Sequence, residues 1–480
     1  MLALAARIWA AFALPNAEQD GYSDAETIGR LTAHLATGQF HLADLYGFWL
    51  PVFQFVAAIL NLGLHDPLLA GKILSSLTGA VACVLVCAIS DRLTNNRLFA
   101  FLAFVLVLLN PLHLLYSAAC MTDVPFGCLA LGVVWSALCD RWGGAYACLV
   151  LAAGVRVEAW ALVPVLPAWQ FLRQKRISWL GVAVCLLVPL GWLWISYLAR
   201  GDWFAFFNER VWYHAHYMDF HPSRRGFALR DAREDLDYLT MGANRVVLLA
   251  SVGAFAWLLV DWLRRRKLNW DGFVVSSALF AIMGFLMLAY LTKRQPVFLP
   301  RYGLFAFVLG LPLSAWIAAQ LIKRATPSWA GWIGAIAMFA ATASVMQPQI
   351  PVIPKVRNDF EAHQRVAQAL VRDLAERHDD ASRCFSDDVA VRVLSRLPVD
   401  RFERTPAAPH ETWSDLATFE KFLRDRDISY VVIMPTEDSL PVKWYPELAS
   451  ATPVQSGRFE LISSATSSFG PGVWLYRLRD

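Results

Sequence analysis

The chain has 480 residues, of which 57% are hydrophobic and only 17% are charged. Soluble domains usually carry about 25% charged residues, so this composition does not fit a soluble protein throughout. The formal net charge of +4 is small and gives no indication of a nucleic-acid partner. The eight cysteines show neither a disulfide framework nor zinc-ligand spacing. Composition therefore favours a membrane protein.

Eleven apolar stretches follow one another through the first 346 residues. A membrane span needs about 20 apolar residues, or fewer in the protein interior. We predict spans at 1–15, 67–90, 98–116, 122–139, 144–155, 157–172, 178–198, 246–263, 271–292, 302–322 and 329–346. The pair 144–155 and 157–172 is short and meets at Arg156, which is typical of two half-depth helices. The expected fold class is thus a polytopic α-helical membrane protein with about 11 transmembrane helices.

Lys and Arg are concentrated in alternate gaps between these stretches. By the positive-inside bias, such gaps face the cytoplasm. The basic gaps contain Arg92 with Arg97, Arg141, Arg173 with Lys175 and Arg176, Arg264 to Lys267, and Lys323 with Arg324. This alternation predicts a multi-pass protein of the inner (cytoplasmic) membrane with an extracytoplasmic C-terminus. The acidic and aromatic residues of the other gaps then share the outer rim.

Two outward loops, residues 16–66 and 199–245, are long. In the first, Ala25–Ala36 has apolar residues at helical spacing and Gly38 is a typical helix stop. The segment Phe48–Leu64 is apolar but interrupted by polar residues. We expect both segments to form helices that lie along the membrane surface.

The composition changes near Pro348, which divides the chain into a transmembrane domain, 1–348, and an extracytoplasmic domain, 349–480. The tail pattern predicts two helices and three strands, a small α/β domain. They are Arg357–His378, Thr418–Arg424, Ile428–Met434, Phe459–Ile462 and Val473–Leu478. The tail has no phosphate-binding loop and no nucleophile elbow, so we expect it to be dispensable for a chemical step.

Four carboxylates on the outer rim are candidates for chemistry. Asp20 and Asp24 follow the first stretch, Glu26 lies two residues further, and Asp123 opens the fourth stretch. Asp24, Glu26 and Asp123 could instead stabilise helix N-termini, as caps or in a first turn. In the functional interpretation Asp20, Asp24 and Asp123 are the catalytic candidates, one of them a general base, and Glu26 is a substrate ligand. Two helix tips can bring Asp123 near Asp20 or Asp24.

Arg156 and Glu158 interrupt an apolar run, and charged residues at such depth need partners. One interpretation is a buried pair that neutralises itself. In the other, Arg156 binds an anionic headgroup and Glu158 contacts substrate.

Three cations lie near the outward end of the stretch 302–322: Lys293, Arg294 and Arg301, which is followed by Tyr302. They could simply reach lipid phosphates from the membrane surface. In the functional interpretation these cations bind a donor phosphate, with an arginine holding two of its oxygens, and Tyr302 contacts the substrate.

The second outward loop contains Tyr213 and His214, which we consider substrate contacts. His214 with His216 and His221 could also bind a metal ion, but i, i+2 spacing points in opposite directions on a helix. A divalent metal ion therefore stays open, and no cofactor is certain.

Together these features resemble the GT-C superfamily of integral-membrane glycosyltransferases, which use polyprenyl-phosphate sugars. The similarity is greatest to the protein mannosyltransferase and aminoarabinose lipid A transferase group, and covers about residues 1–346. The shared features are the first span, the acidic motif, the helix end Ala36-Thr37-Gly38, Thr122-Asp123-x-Pro125, Arg156-x-Glu158 and Arg301-Tyr302. Asp20-Gly21-Tyr22 and Ser23-Asp24-Ala25-Glu26 stand where that family has an adjacent Asp-Glu pair. Gly201-Asp202-Trp203-Phe204 resembles its Gly-Asp-Pro-Leu segment.

The resemblance implies an enzyme that transfers a sugar, with inversion, from a polyprenyl-phosphate donor to a lipid, glycan or protein acceptor at the outer membrane face. Two other classes stay open. A transporter or flippase of lipid-linked glycans would also have many spans, but would more often show inverted repeats and broken midplane helices. A non-catalytic scaffold would not need outward carboxylates on two separate loops.

Overall fold

The structure, a computed structural model, describes residues 1–16, 19–47, 49–209, 229–266, 268–292, 300–324, 328–379, 381–386, 388–403, 416–433, 459–466 and 472–479. Contacts between backbone positions divide the chain into two compact units. We call Met1–Ala13 with Leu31–Ile350 the membrane unit, and Leu14–Arg30 with Pro351–Asp480 the C-terminal unit. The first half of helix Gln19–Thr37, which carries Asp20, Asp24 and Glu26 and which we call the acidic helix, therefore belongs to the C-terminal unit.

The membrane unit is built from α-helices. In chain order they are Leu2–Ala13, Gln19–Thr37, Val52–Leu64, Pro67–Thr94, Arg97–Leu109, Pro111–Ser117, Asp123–Leu138, Trp142–Val155, Leu162–Gln174, Trp179–Arg200, Leu229–Ala243, Arg245–Arg265, Trp270–Leu291, Leu304–Arg324 and Ser328–Met346. Short 3-10 helices span Leu42–Leu45, Val157–Ala161, Pro300–Gly303 and Gln347–Gln349. The first half of Gln19–Thr37 packs with the C-terminal unit.

Among the described residues, six helices are long and apolar enough to cross a membrane, or seven if one bent pair counts as a span. They are Pro67–Thr94, Trp179–Arg200, Arg245–Arg264, Trp270–Leu291, Pro300–Lys323 and the apolar first part of Gly331–Glu376. Four apolar helices are shorter: Leu2–Ala13, Val52–Leu64, Asp123–Leu138 and Trp142–Val155. The predicted multi-span helical architecture is confirmed. The predicted span 98–116 is divided at Asn110 into two helices, and the predicted span 157–172 begins with a 3-10 helix.

Side-chain caps fix where several of these helices begin and end. Asn110 Oδ1 accepts a hydrogen bond from the His113 backbone N at 2.7 Å, and Pro111 follows at the first helical position. The helices on either side of Asn110 consequently meet at an angle of 62°. The acidic helix ends at Thr37 before Gly38, whose φ of 68° suits glycine, as the sequence predicts.

The C-terminal unit contains a five-stranded mixed sheet of order β2-β1-β3-β5-β4. Its strands are β1 Arg383–Ser386, β2 Phe402–Glu403, β3 Ile428–Ile433, β4 Phe459–Ala465 and β5 Val473–Leu478. Strand β1 pairs in parallel with β2 and β3, whereas β5 pairs antiparallel with β3 and β4. Helices Val352–Glu376, Val389–Ser395 and Leu416–Asp425 belong to the same unit.

The three predicted strands and two predicted helices of the tail are confirmed, with ends shifted by a few residues. The sequence prediction missed β1, β2 and the helix Val389–Ser395. Each of these is at most seven residues long, and β2 has only two residues. Such short elements give too few residues for periodicity to show.

A buried histidine–aspartate pair joins two helices of the C-terminal unit. His363 Nε2 lies 2.9 Å from Asp388 Oδ2, and His363 is only 3% exposed. Burial lowers the pKa of His363, but the hydrogen bond and charge of Asp388 outweigh burial and raise it to about 9. At neutral pH the imidazole is therefore protonated and paired.

This raised pKa predicts that the C-terminal unit loses stability in mild alkali. Protonated His363 stabilises the unit fully below about pH 6.5, and this contribution is lost as the pH rises to about 9, at most about 3 kcal/mol. Limited proteolysis at rising temperature gives the temperature at which the intact unit is lost. Between pH 7 and pH 9.5 this temperature should fall more steeply for wild type than for His363→Gln. The exposed His378 supplies the control, His378→Gln. Parallel pH profiles for wild type and His363→Gln would contradict the assignment.

Candidate functional site: a buried arginine cluster and an acidic helix

The break between two helices places charged side chains inside the membrane unit. Helix Trp142–Val155 ends at Arg156, whose backbone is extended with φ −145° and ψ 143°. The 3-10 helix Val157–Ala161 follows and contains Glu158. The extended residue and the tighter helix thus orient Arg156 and Glu158 towards each other, two positions apart.

Arg156 bridges two carboxylates from different parts of the chain. Its Nη1 donates a hydrogen bond to Asp123 Oδ1 at 2.7 Å, and its Nη2 donates to Glu158 Oε1 at 2.6 Å. Its Nε donates to Glu158 Oε2 at 3.1 Å, which makes the contact with Glu158 bidentate. Thr122 Oγ1 also lies 3.4 Å from Nη1. This network connects the start of helix Asp123–Leu138 to the break that follows helix Trp142–Val155.

All three charges of this network are buried. Arg156 is 3% exposed, and Asp123 and Glu158 are each 5% exposed. Burial of an ion removes its hydration, so such charges persist only with partners and hydrogen bonds. One arginine between two carboxylates leaves a formal charge of −1, which a further cation can balance.

Arg301 is that further cation, and it shares two aromatic partners with Arg156. The Arg156 guanidinium lies 5.2 Å from the ring centroids of both Trp49 and Tyr302. The Arg301 guanidinium lies 5.9 Å from the Trp49 ring and 5.2 Å from the Tyr302 ring. Arg301 is 2% exposed. Both arginines thus contact aromatic faces, an arrangement stabilised by cation–π attraction.

Close backbone packing holds Arg301 in place. A Cβ atom on Gly242 would lie 1.6 Å from the carbonyl oxygen of Pro300, and one on Gly303 would lie 2.3 Å from that of Leu239. Only glycine permits this approach between helix Leu229–Ala243 and the turn Pro300–Gly303. The turn that carries Arg301 and Tyr302 is consequently fixed by backbone contact as well as by its side chains.

Together these residues form a compact pocket that contains two arginines and two carboxylates. Its lining consists of Asp123, Phe126, Arg156, Glu158, Arg301, Tyr302 and Phe305. The two arginines and two carboxylates sum to zero formal charge.

The first half of the acidic helix belongs to the C-terminal unit, and the helix begins earlier than predicted. It spans Gln19–Thr37, so Asp20 lies in its first turn and Asp24 and Glu26 lie inside it. The alternative in which Asp24 caps this helix and Glu26 opens it is therefore wrong. Asp24 is 2% exposed. The Asp20 side chain lies outside the described part of the structure.

Both carboxylate oxygens of Glu26 accept hydrogen bonds from Arg392. The distances are 3.1 Å from Nε to Oε1 and 3.0 Å from Nη2 to Oε2. Glu26, a predicted substrate ligand, thus forms a bidentate ion pair inside the C-terminal unit. Asp123, a predicted catalytic residue, is likewise the partner of an arginine.

The remaining predicted site residues are Lys293, Arg294, Tyr213 and His214, and they lie outside the described residues, as do His216 and His221. Among the residues that the structure describes, no group of three or more His, Cys, Asp or Glu side chains could hold a metal ion.

Sequence analysis missed Trp49, Thr122 and Arg392 as partners of the site residues. Thr122 directly precedes Asp123 and could have been inferred from its position. Trp49 lies in a segment whose aromatic residues suit a membrane surface, and Arg392 lies in a short helix of the tail. Neither carries a sequence signal that distinguishes it from a surface residue.

The fold resembles those of known integral-membrane glycosyltransferases. ArnT from Cupriavidus metallidurans bound to undecaprenyl phosphate matches with a TM-score of 0.62 at 13% identity, over 99% of this chain and 96% of that chain. ArnT in the apo state gives 0.54 at 13% identity, over 95% and 93%. The apo oligosaccharyltransferase of Archaeoglobus fulgidus gives 0.51 at 11% identity, over 93% and 70%. No protein-family model and no curated protein matches the sequence.

The similarity extends over nearly the whole chain, and the chain therefore has a GT-C-like fold. The resemblance predicted from the acidic motif and the Thr122-Asp123, Arg156-x-Glu158 and Arg301-Tyr302 features is confirmed at the level of fold.

The buried network predicts that Arg156 is required for stability of the membrane unit. Arg156→Met leaves Asp123 and Glu158 buried without their cation, which costs about 3–5 kcal/mol. Arg173→Met is the matched control, because the Arg173–Asp140 pair is 41% exposed on both sides and its loss costs about 1 kcal/mol or less. Thermal unfolding in detergent should show a much larger drop in melting temperature for Arg156→Met. Equal drops for the two variants would contradict the account of the network.

Proposed function

We propose that this protein transfers a sugar from a polyprenyl-phosphate donor to a lipid, glycan or protein acceptor, with inversion, at the outer face of the cytoplasmic membrane. The observation that carries the proposal is the pair Arg156 and Arg301 beside Trp49 and Tyr302 in a GT-C-like fold. One structural neighbour, ArnT, was crystallised with undecaprenyl phosphate. A polyprenyl phosphate is thus the class of donor carrier we assign to this chain.

Arg301 is our choice for the residue that binds the donor phosphate. Arg156 donates hydrogen bonds to two carboxylates, whose combined charge exceeds its own, and Arg301 lies against the same two aromatic rings and adds a second positive charge. A planar guanidinium can hold two phosphate oxygens at once. In this proposal Arg156 holds Asp123 and Glu158 in place beside the phosphate site. Tyr302 contacts the donor, and Lys293 and Arg294 supply further positive charge.

Asp20 and Asp24 are the candidate bases. They are four residues apart on one helix, so their positions share a face. Asp123 is less suited to accept a proton, because its Oδ1 already accepts a charge-assisted hydrogen bond from Arg156. We therefore assign Asp123 to the structure of the pocket and the base to the acidic helix.

The proposed transfer is a single displacement at the anomeric carbon of the donor sugar. The carboxylate accepts the proton of the acceptor hydroxyl while the oxygen of that hydroxyl forms a bond to the anomeric carbon. The bond between that carbon and the phosphate oxygen breaks, and the phosphate leaves with the electron pair. Arg301 stabilises the charge that develops on the departing phosphate. Attack opposite the leaving group inverts the anomeric centre.

The proposed topology places the acidic helix and the C-terminal unit outside the cytoplasm. The support is the alternation of basic gaps with apolar stretches along the sequence. A polyprenyl-phosphate sugar at the outer leaflet would then reach the site from the membrane.

Substitution of the two aspartates should identify the base. In nanodiscs with radiolabelled polyprenyl-phosphate sugars and an envelope acceptor extract, Asp20→Asn or Asp24→Asn should lower the transfer rate about 10²-fold or more, because a general base is removed. Asp237→Asn, which alters an exposed ion pair with Arg245, is the matched control and should leave the rate near normal. Near-normal rates for both test variants would rule out the acidic helix as the base. No transfer by wild type from any donor would overturn the proposed function.

A further inference from the structure

The acidic helix carries Glu26 and the two candidate bases on opposite faces. Tyr22 and Glu26 are four residues apart on one face, and positions 20 and 24 lie on the opposite face. Tyr22 is 4% exposed, and its pKa is raised by burial and by the nearby charges of Asp359 and Asp388. The face with Tyr22 and Glu26 thus packs against residues of the C-terminal unit.

The strongest contact on that face is the ion pair of Glu26 with Arg392. It is bidentate, with donor–acceptor distances of 3.0 and 3.1 Å, and the side chains of Arg392 and Glu26 are 5% and 17% exposed. Two parallel hydrogen bonds fix orientation as well as distance. Shielding from water strengthens the Coulomb attraction between the two charges, and loss of either partner leaves the other charge shielded without compensation.

Further contacts hold Arg392 itself in place. Its Nη1 donates a hydrogen bond to the carbonyl oxygen of Ser386 at 2.6 Å. Arg392 belongs to helix Val389–Ser395, whose N-cap is Asp388; Asp388 Oδ1 accepts from the Val391 backbone N at 2.8 Å. The other oxygen of Asp388 pairs with His363. Asp388 thus connects His363 to the start of the helix that carries Arg392, and Arg392 in turn binds Glu26.

We propose that Arg392 is a positioning residue for the transfer reaction, because its ion pair with Glu26 sets the rotation and register of the helix that carries Asp20 and Asp24. This inference rests on the proposed function. It gives the C-terminal unit a part in the chemical step, against the expectation from sequence that the tail is dispensable for it.

The geometry of general base catalysis explains why such a contact matters. A base must lie within hydrogen-bond reach of the proton that it accepts. A displacement of about 1 Å that originates away from the reacting atoms can lower a rate about 10²-fold. Because Glu26 lies on the face opposite positions 20 and 24, loss of its anchor lets the helix rotate or shift without any change in the carboxylates themselves.

A double-mutant cycle tests the proposal on the full-length protein in nanodiscs. Arg392→Met and Glu26→Gln should each lower kcat about 10- to 100-fold and change KM for the polyprenyl-phosphate sugar less than about twofold. The double variant should lose no more than the worse single variant, because both changes remove the same contact. Arg392→Lys, which keeps the charge but lacks the planar fork, should give an intermediate kcat.

Arg357→Met is the matched control, because Arg357 forms an exposed i, i+4 pair with Glu361 in the same unit, and its kcat should equal that of wild type. Hydrogen exchange without substrate should show faster exchange over residues 19–30 in Arg392→Met and not in Arg357→Met.

Three results would separate the possible failures. Unchanged kcat in folded Arg392→Met with an active wild type would overturn the positioning role alone. If Arg392→Met does not fold, wild-type kcat in both Arg392→Lys and Glu26→Gln would overturn it. Wild-type protein without transfer activity would overturn the proposed function, and the positioning role with it.

Discussion

The guanidinium of Arg156 is the charge on which the arrangement of the membrane unit depends. It is 3% exposed and donates hydrogen bonds to Asp123 and Glu158, while the rings of Trp49 and Tyr302 lie beside it. A charge at this depth is tolerated only where partners replace its hydration. Four segments of the chain must therefore meet at one place: the helix start at 123, the break at 156–158, the loop at 49 and the turn at 300–303.

The need to balance buried charge also distinguishes the side chains that stabilise the fold from those that we propose to act on substrate. A buried arginine that two carboxylates hold is a poor ligand for a further anion, since its charge is already more than balanced. Arg301, the second arginine beside the same aromatic rings, is therefore the residue that we propose as the phosphate ligand. In the proposed function the acidic helix carries the candidate bases Asp20 and Asp24, and Arg392 binds that helix through Glu26.

Much of the fold could be predicted from the sequence because long apolar stretches and charge alternation are strong signals. The multi-span architecture, the helix stop at Gly38 and the central strand Ile428–Ile433 all follow from local patterns. The charged pair Arg156 and Glu158 stands out for the same reason. The partners could not be predicted, since the contacts Arg156–Asp123 and Glu26–Arg392 join residues 33 and 366 positions apart. The start of the acidic helix was misplaced because Asp20 and Gly21 read as loop residues, whereas the packing of Tyr22 and Glu26 extends the helix through them.

Binding of the donor carrier to Arg301 tests the central claim most directly. Undecaprenyl phosphate should be titrated into wild-type protein, Arg301→Ala and the control Arg92→Ala in nanodiscs, since Arg92 forms an ion pair with Asp271 that is about one-third exposed. Loss of a charge-assisted phosphate contact costs roughly 1.5–3 kcal/mol, so the dissociation constant of Arg301→Ala should rise about 10- to 150-fold while that of Arg92→Ala stays near wild type. Unchanged affinity in folded Arg301→Ala would contradict the account and limit Arg301 to a structural role beside Trp49 and Tyr302.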